Sequence, residues 1–340
     1  MQAALKTPNT DRQESYDNIQ DFNEEFTRDV IEHKLGNREG GLGEWEYSDP
    51  EFEGDLVNGS QDWVNFINDN PIDYYIPSAE IILADQASEI ITDIVPEPVT
   101  LCFLGIGDAH IFREKDMKLA TKFNNVTSAT TYDISLSYLM TSVPVMASEL
   151  PSKTECGMRR VDLFRGFTIA REPKSKALLT SFGGTLLNAP IERDKAGNLL
   201  TPEKSIRDHF RAIRGSMKKG DFFVFTQDGN TDKNKIERAY AGQGKFASNL
   251  AHRIKRDTPY KKIDTENTPF RVEFDSNSGI LAHYLTLDFN NGDNGPKEYL
   301  INSSPKIPEE ICLDWAKKEK LARVQTISHN GVHLHITQAI

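Results

Sequence analysis

The stretch TLCFLGIGDAH, residues 100 to 110, runs an apolar segment straight into Gly105 and Gly107, two residues that let a backbone come close to a ligand. A dinucleotide-binding turn would add a third glycine at the place held here by His110. Two carboxylates follow at the ends of the next apolar runs, Asp133 in TYDIS and Asp162 in RRVDLF. Asp133 is placed to accept both hydroxyls of a ribose, and its plainer use is to cap the helix that begins LSYLM. Asp162 could reach an adenine amino group, or serve as an ordinary loop carboxylate. Each residue alone carries the plainer reading as well as the functional one, but their order at successive strand ends points to nucleoside binding. After the following strand, SFGGTLLN closes on Asn188, whose amide offers donors and acceptors suited to a zwitterion, although a lone asparagine is also a common turn former.

Ligands of open α/β sheets sit beyond the carboxyl ends of the strands, so these residues need an alternating scaffold behind them. The sequence supplies one. From residue 100 the order is TLCFLG strand, IFREKDMKLATKF helix, ATTYDIS strand, LSYLMTSVPVMASEL helix, RRVDLF strand, KALLTSFGG strand, EKSIRDHFRAIRGSM helix and GDFFVFTQD strand. That alternation predicts right-handed βαβ units and a largely parallel sheet. The C-terminus differs: after the helix PEEICLDWAKKEKL, two strand patterns flank Asn330-Gly331, a strong hairpin signal. The expected fold class is therefore α/β, a Rossmann-like doubly wound sheet ending in an antiparallel hairpin, with a smaller α+β lobe. That lobe is drawn from residues 21–75 and 230–308, the sheet domain from 76–229 and 309–340, and 1–20 form a polar tail. Ahead of the sheet, DFNEEFTRDVIEHKLG has helical spacing at Phe22, Phe26, Val30 and Ile31 with Gly36 as a stop. SQDWVNFIND reads as a short helix capped by Ser60, and IPSAEIILADQASEIITDIV as a longer one.

Composition narrows the partners. A net charge of -11 repels a phosphate backbone, which disfavours nucleic acid. The 3 cysteines, Cys102, Cys156 and Cys312, are too few and too scattered for a disulfide framework or a thiol zinc site, and fit a reducing cytoplasm. No window holds about 18 uninterrupted apolar residues, so neither a membrane span nor a membrane partner is expected. His329, His333 and His335 cluster near the hairpin but lack a carboxylate or cysteine at ligand spacing, so no metal is expected. P-loop, nucleophile-elbow and HExxH patterns are absent.

Several separated stretches resemble one family. EWEYSD, PIDYYIPSAE, LGIGDA, TYDIS, VDLF, FGGTLLN, GDFFVFTQD, ERAYAG and NSSPKIP, spanning roughly residues 44 to 340, are similar in order and spacing to the histidine Nα-methyltransferases of ergothioneine biosynthesis. The resemblance implies a class I methyltransferase fold with S-adenosylmethionine as cofactor. It places Gly105 and Gly107 beside the cofactor, Asp133 at its ribose, and Asp162 with Leu163 at its adenine. Tyr47, Tyr74, Asn188 and Tyr240 would hold the substrate's α-amino and carboxylate groups, with Tyr74, Asn188 and Tyr240 nearest the reacting amine. His283, Asn302 and Ser304 would line the side-chain pocket.

Three positions depart from the family pattern. Phe103 stands where the first strand usually ends in an acid. Asn302 replaces a glutamate that grips the imidazole in histidine-specific members, and His283 replaces a methionine. Losing that carboxylate would strand an imidazole N–H, at a cost of about 1 to 3 kcal/mol, so a substrate other than histidine, or histidine held differently, is implied. The expected activity is S-adenosylmethionine-dependent N-methylation of an amino acid or small amino-acid derivative, by a cytoplasmic monomer or weak homodimer. The alternatives are a degenerate homologue that only binds a metabolite, or a methyltransferase acting on oxygen or carbon of a natural-product intermediate.

Overall fold

The computed structural model describes residues 19–35, 59–70, 72–161, 163, 166–188, 192–290 and 295–340. Its main sheet has seven strands. In chain order they are β1 (Val99–Leu104), β2 (Val126–Asp133), β3 (Glu155–Arg160), β4 (Lys176–Ser181), β7 (Phe222–Asp228), β11 (Leu321–His329) and β12 (Val332–Ala339). A short ribbon, β5 (Glu192–Arg193) with β6 (Leu199–Leu200), intervenes. The spatial order is β11-β12-β7-β4-β1-β2-β3, and only β12 runs antiparallel to its neighbours. The expected parallel sheet with a terminal hairpin is thus observed. Every residue of β1 and of β7 is buried, as central strands covered on both faces require. Asn330 and Gly331 close the hairpin with φ of 53° and 83°, the pair of positive values that a tight type I′ turn needs.

Helices cover both faces. On one lie α3 (Ile76–Ile94), α4 (Ala109–Glu114), α5 (Asp116–Ala120) and α6 (Leu136–Glu149), packed on Leu101, Phe103, Leu178 and Val224. On the other lie α7 (Glu203–Ser216) and α10 (Glu309–Lys318), packed on Cys102, Leu104, Leu179 and Phe223. In α7 the buried residues Ile206, His209, Phe210 and Ile213 recur at helical spacing, so one stripe meets the sheet.

A second, three-stranded antiparallel sheet joins β8 (Phe270–Asp275), β9 (Ile280–Leu287) and β10 (Lys297–Pro305) in the order β10-β9-β8. In register, Val272 and Asn302 flank His283, while Phe274 and Ser304 flank Leu281. Opposed residues share a face, so His283, Asn302 and Ser304 lie on one side of this sheet. Helices α8 (Lys233–Tyr240) and α9 (Gly244–Asp257) pack there, and α1 (Ile19–Leu35) sets Phe26 and Val30 in a shared core with Ala247, Leu250 and Leu285.

Several local expectations need correction. IFREKDMKLATKF is not one helix: α4 ends and α5 begins at Lys115, whose side chain is drawn inward to Glu80. The third strand is Glu155–Arg160, starting four residues ahead of RRVDLF, because its pairing follows β2 rather than apolarity at an exposed edge. Ser60 is not a cap; it lies inside α2 (Gly59–Asp69), where its hydroxyl meets Ser135 Oγ at 3.1 Å. Residues 233–257 form α8, a 3-10 turn at Ala241–Gln243, and α9. Ile31 faces outward at 37% exposure, since Phe26 and Val30 already fill that helix's inner stripe. Tyr47, Asp162 and the first 18 residues lie outside the described set.

Candidate functional site

The glycine turn follows β1 at the carboxyl edge of the main sheet. Gly105 and Gly107 have φ of +64° and +68°, and their reasons for being glycine differ. A Cβ at Gly105 would lie 3.0 Å from both Cγ2 and Oγ1 of Thr185, so this glycine exists to let the turn after β4 pack against it. A Cβ at Gly107 would meet nothing within 4 Å, so that backbone faces open space. Asp133 secures the turn: Oδ2 accepts from Ile106 N at 3.0 Å and Oδ1 accepts from Ser135 N at 2.8 Å, at the start of α6. Its helix-side use is therefore real. Leu163 is buried with Val161 and Phe167 just past β3. Thr185 begins the 3-10 turn that ends at Asn188, which is exposed at the same edge.

Other expected residues meet on the second sheet, around a cation that the sequence reading overlooked. Lys306 is only 2% exposed, and its Nζ lies 2.8 Å from Tyr240 Oη, 2.9 Å from Ser304 Oγ and 2.8 Å from Asp228 Oδ2. Asp228, the last residue of β7, also accepts from Tyr75 Oη at 2.7 Å, and its Oδ1 accepts from Asn230 N and Nδ2. Burial pushes the Asp228 carboxyl up, but the Lys306 ammonium and these donors outweigh it and hold it below the usual range. Lys306 is raised: burial alone would lower it, and Asp228 with Tyr240 reverses that. Burial and the Asp228 charge raise the Tyr75 phenol, which stays neutral. The pair is thus a charged one.

An aromatic wall adjoins the cation. The Tyr240 ring stands edge-on to Tyr74 at 5.3 Å and to His283 at 5.5 Å, and Tyr74 continues to Phe66 and Trp63. His283 is buried with Nε2 lacking any hydrogen-bond partner, and burial, then Lys306, lowers its pKa to about 3. It is a neutral imidazole. Asn302, opposite His283, turns Oδ1 onto the backbone N–H of Ser303 at 2.8 Å.

One helix ties the two areas together. Tyr74 and Tyr75 immediately precede α3, and Glu80, in its first turns, accepts from Gly183 N and Thr226 Oγ1 and pairs with Lys115 at 2.9 Å. The same segment therefore delivers Tyr75 to Asp228 and braces the Gly183-Gly184 turn that meets Gly105. Phe103 is buried on this face with its ring edge-on to Phe112 at 5.0 Å. The carboxylate absent from the end of β1 is thus replaced by hydrocarbon packing, while Glu80 and Asp116 bring acids to the same face from helices. His335 is structural in use: its Nε2 bonds Gln227 Oε1 at 2.9 Å, and Gln227 Nε2 donates to Ile307 O, beside Lys306.

The sequence profile of the histidine-specific, S-adenosylmethionine-dependent methyltransferases matches residues 57–316. The chain belongs to that family. No curated protein matches it. Among solved structures it is similar to an S-adenosylmethionine-dependent methyltransferase from Clostridium acetobutylicum (11% identity, 82% of this chain and 92% of that one, TM-score 0.40). It is also similar to the CcbJ methyltransferase from Streptomyces caelestis (10% identity, 76% and 95%, TM-score 0.43). A third likeness is to an amino pentose methyltransferase from Micromonospora echinaspora solved with S-adenosylmethionine bound (11% identity, 76% and 90%, TM-score 0.36).

The methyltransferase cofactor fits the residues present. The open space before Gly107 and the exposed Gly183-Gly184 turn lie at the strand ends where an open sheet takes its ligand. Among the described residues no helix is long and apolar enough to cross a membrane. Lys306, Asp228, Tyr75 and Glu80 were missed although each lies in a stretch quoted for the family resemblance. Their signal was a charged or phenolic residue within a matched segment.

Proposed function

We propose that this methyltransferase transfers a methyl group to the α-amine of an amino acid or small amino-acid derivative whose side chain is not that of histidine. When bound, S-adenosylmethionine supplies an electrophilic methyl on sulfonium, and Gly105, Gly107, Asp133, Asp162 and Leu163 are the residues that would hold it. Tyr74, Tyr240 and Asn188, with Tyr47, would fix the substrate's ammonium and carboxylate ends. Neutral hydroxyl and amide groups orient a zwitterion without adding a negative charge that would keep the amine protonated. Orientation beside a dry aromatic wall supplies the acceleration such a displacement needs, because the amine lone pair must point along one line.

The observation that carries the non-histidine reading is the pairing of His283 with Asn302. Here the expected imidazole-gripping carboxylate is an amide whose oxygen is engaged by Ser303 N, and the opposing group is a neutral imidazole. Neither offers the charged acceptor that a substrate imidazole N–H prefers. Incubation with labelled S-adenosylmethionine across an amino-acid panel, read by product mass spectrometry, tests this. We expect N-methylated product from a neutral, aromatic side chain and little from histidine; preferential methylation of histidine would sink the reading. Retention of label on oxygen or carbon would move the acceptor atom instead.

A further inference from the structure

Lys306 spends all of its donors inside the protein. An ammonium has three N–H bonds and no lone pair, and Lys306 Nζ has three oxygen partners, Asp228 Oδ2, Tyr240 Oη and Ser304 Oγ. Because Lys306 can only donate, both hydroxyls must accept from it. Neither hydroxyl has another partner among the described residues, so each keeps its own hydrogen unspent. Asp228 cannot take them up readily: its two oxygens already receive Lys306, Tyr75 and both nitrogens of Asn230.

The position of Lys306 is itself tightly built. Its backbone N–H donates to Gly279 O at 2.6 Å, and a Cβ on Gly279 would lie 2.9 Å from Lys306 O, so the strand end is pressed against a left-handed turn that only glycine suits. The next carbonyl, Ile307 O, is held by Gln227 from β7. The ammonium also lies 4.5 Å from the Tyr240 ring centre, which fixes the phenol's orientation as well as its hydrogen-bond direction.

Resting on the proposed amino-acid N-methylation, we infer that Lys306 is a positioning residue that makes Tyr240 and Ser304 paired donors for the substrate's carboxylate, which moves Ser304 from the side-chain pocket that the family resemblance gave it to the carboxylate end. The two hydroxyls share one cation, so their hydrogens are directed away from it. Two donors polarised by a common ammonium suit an anionic acceptor better than a neutral one. The substrate class is accordingly a free α-carboxylic acid, rather than a peptide, an ester or a decarboxylated amine. Asp228 in turn keeps the ammonium from meeting that carboxylate directly, so the acid is bound through hydroxyls and can leave after transfer.

The test compares the best amino acid of the panel with its amide and with its decarboxylated amine, using wild type, Lys306→Met, Lys306→Arg, Ser304→Ala and Tyr240→Phe. Wild type is expected to prefer the acid. In Lys306→Met, KM for the acid should rise about 10- to 100-fold, the loss of hydrogen bonding to a charged group, with kcat changing less and the amine's KM hardly moving. The acid preference should therefore collapse, and Lys306→Arg should restore part of it. Affinity for S-adenosylmethionine by calorimetry, expected unchanged, shows that each variant is folded. If Lys306→Met does not fold, Ser304→Ala and Tyr240→Phe decide, since each removes one donor with the cation in place. Undiminished acid preference in a folded Lys306→Met, or in both hydroxyl variants, overturns the inference and leaves the N-methylation reading standing. A wild-type protein that binds S-adenosylmethionine yet methylates no amino acid defeats that reading and this inference together.

Discussion

Lys115 and Lys306 are both buried ammonium groups beside a carboxylate, 2.9 Å from Glu80 and 2.8 Å from Asp228, yet their surroundings differ. Around Lys115 the partners are closed on the fold. Glu80 spends its second oxygen on Gly183 N and Thr226, Lys115 lies 5.5 Å from the Phe182 ring centre, and the neighbouring Asp116 is engaged by Thr180. Around Lys306 two hydroxyl hydrogens are left over, next to an unpartnered His283 Nε2. The first pair clamps helices to a sheet, whereas the second presents hydrogen-bonding groups to a ligand. A buried ion pair alone thus says little about function; what its remaining partners still have to offer decides.

That contrast can be broken in order of effect. Lys115→Met should cost about 3 to 5 kcal/mol of stability by leaving Glu80 buried and uncompensated, measured by denaturant unfolding. A loss below about 1 kcal/mol would mean the two pairs are not different in kind. Next, Gly105→Ala should lose about 2 to 4 kcal/mol, combining left-handed strain with the Thr185 overlap. Gly107→Ala should lose only the strain, about 1 to 2 kcal/mol, while weakening S-adenosylmethionine binding out of proportion. Equal stability losses with equal retention of binding would remove the distinction between a packing glycine and a ligand-facing one.

Asp116 sharpens the comparison through pH. Burial raises its pKa from 3.8 to about 7, partly opposed by Lys115, and its Oδ2 has no partner among the described residues. The folded protein therefore holds this proton more tightly than the unfolded chain, so stability falls as pH rises from about 4 to about 7 and the full cost stands above that. Asp116→Asn should stabilise the protein by about 2 kcal/mol at pH 8 and by much less at pH 4, as thermal melts at the two values would show. A pH-independent effect would contradict the assignment. Smallest is His283→Met, which removes the unpartnered nitrogen. Stability should hold or rise by about 1 kcal/mol while the preferred side chain of the substrate changes, and an unchanged panel profile would take His283 out of the pocket wall.

Legibility in the sequence followed periodicity. The strand ends bearing Gly105, Asp133 and Asp228 could be located because β1 and β7 are buried runs and β2 is buried toward its C-terminal end, each bounded by turn residues. The edge strand β3, half-exposed along ECGMRR, was misplaced because it has no apolar pattern of its own and takes its position from pairing with β2. Lys115 ended a helix that propensity alone would have continued, since an inward ion pair outweighed local preference. In the candidate site, Tyr74, Tyr240, His283 and Ser304 were named in advance and do converge. Lys306 and Asp228 were not named, being 78 positions apart and unremarkable singly.

By itself, then, the amino-acid order determined the sheet, its terminal hairpin and the methyltransferase family, because these rest on local hydrophobic period, turn chemistry and short motifs. Tertiary structure alone decided which charges are buried, which hydroxyls are forced to accept from a buried ammonium, and which glycine faces open space. Those properties arise when groups distant in the chain are desolvated together, and no window of sequence contains that information.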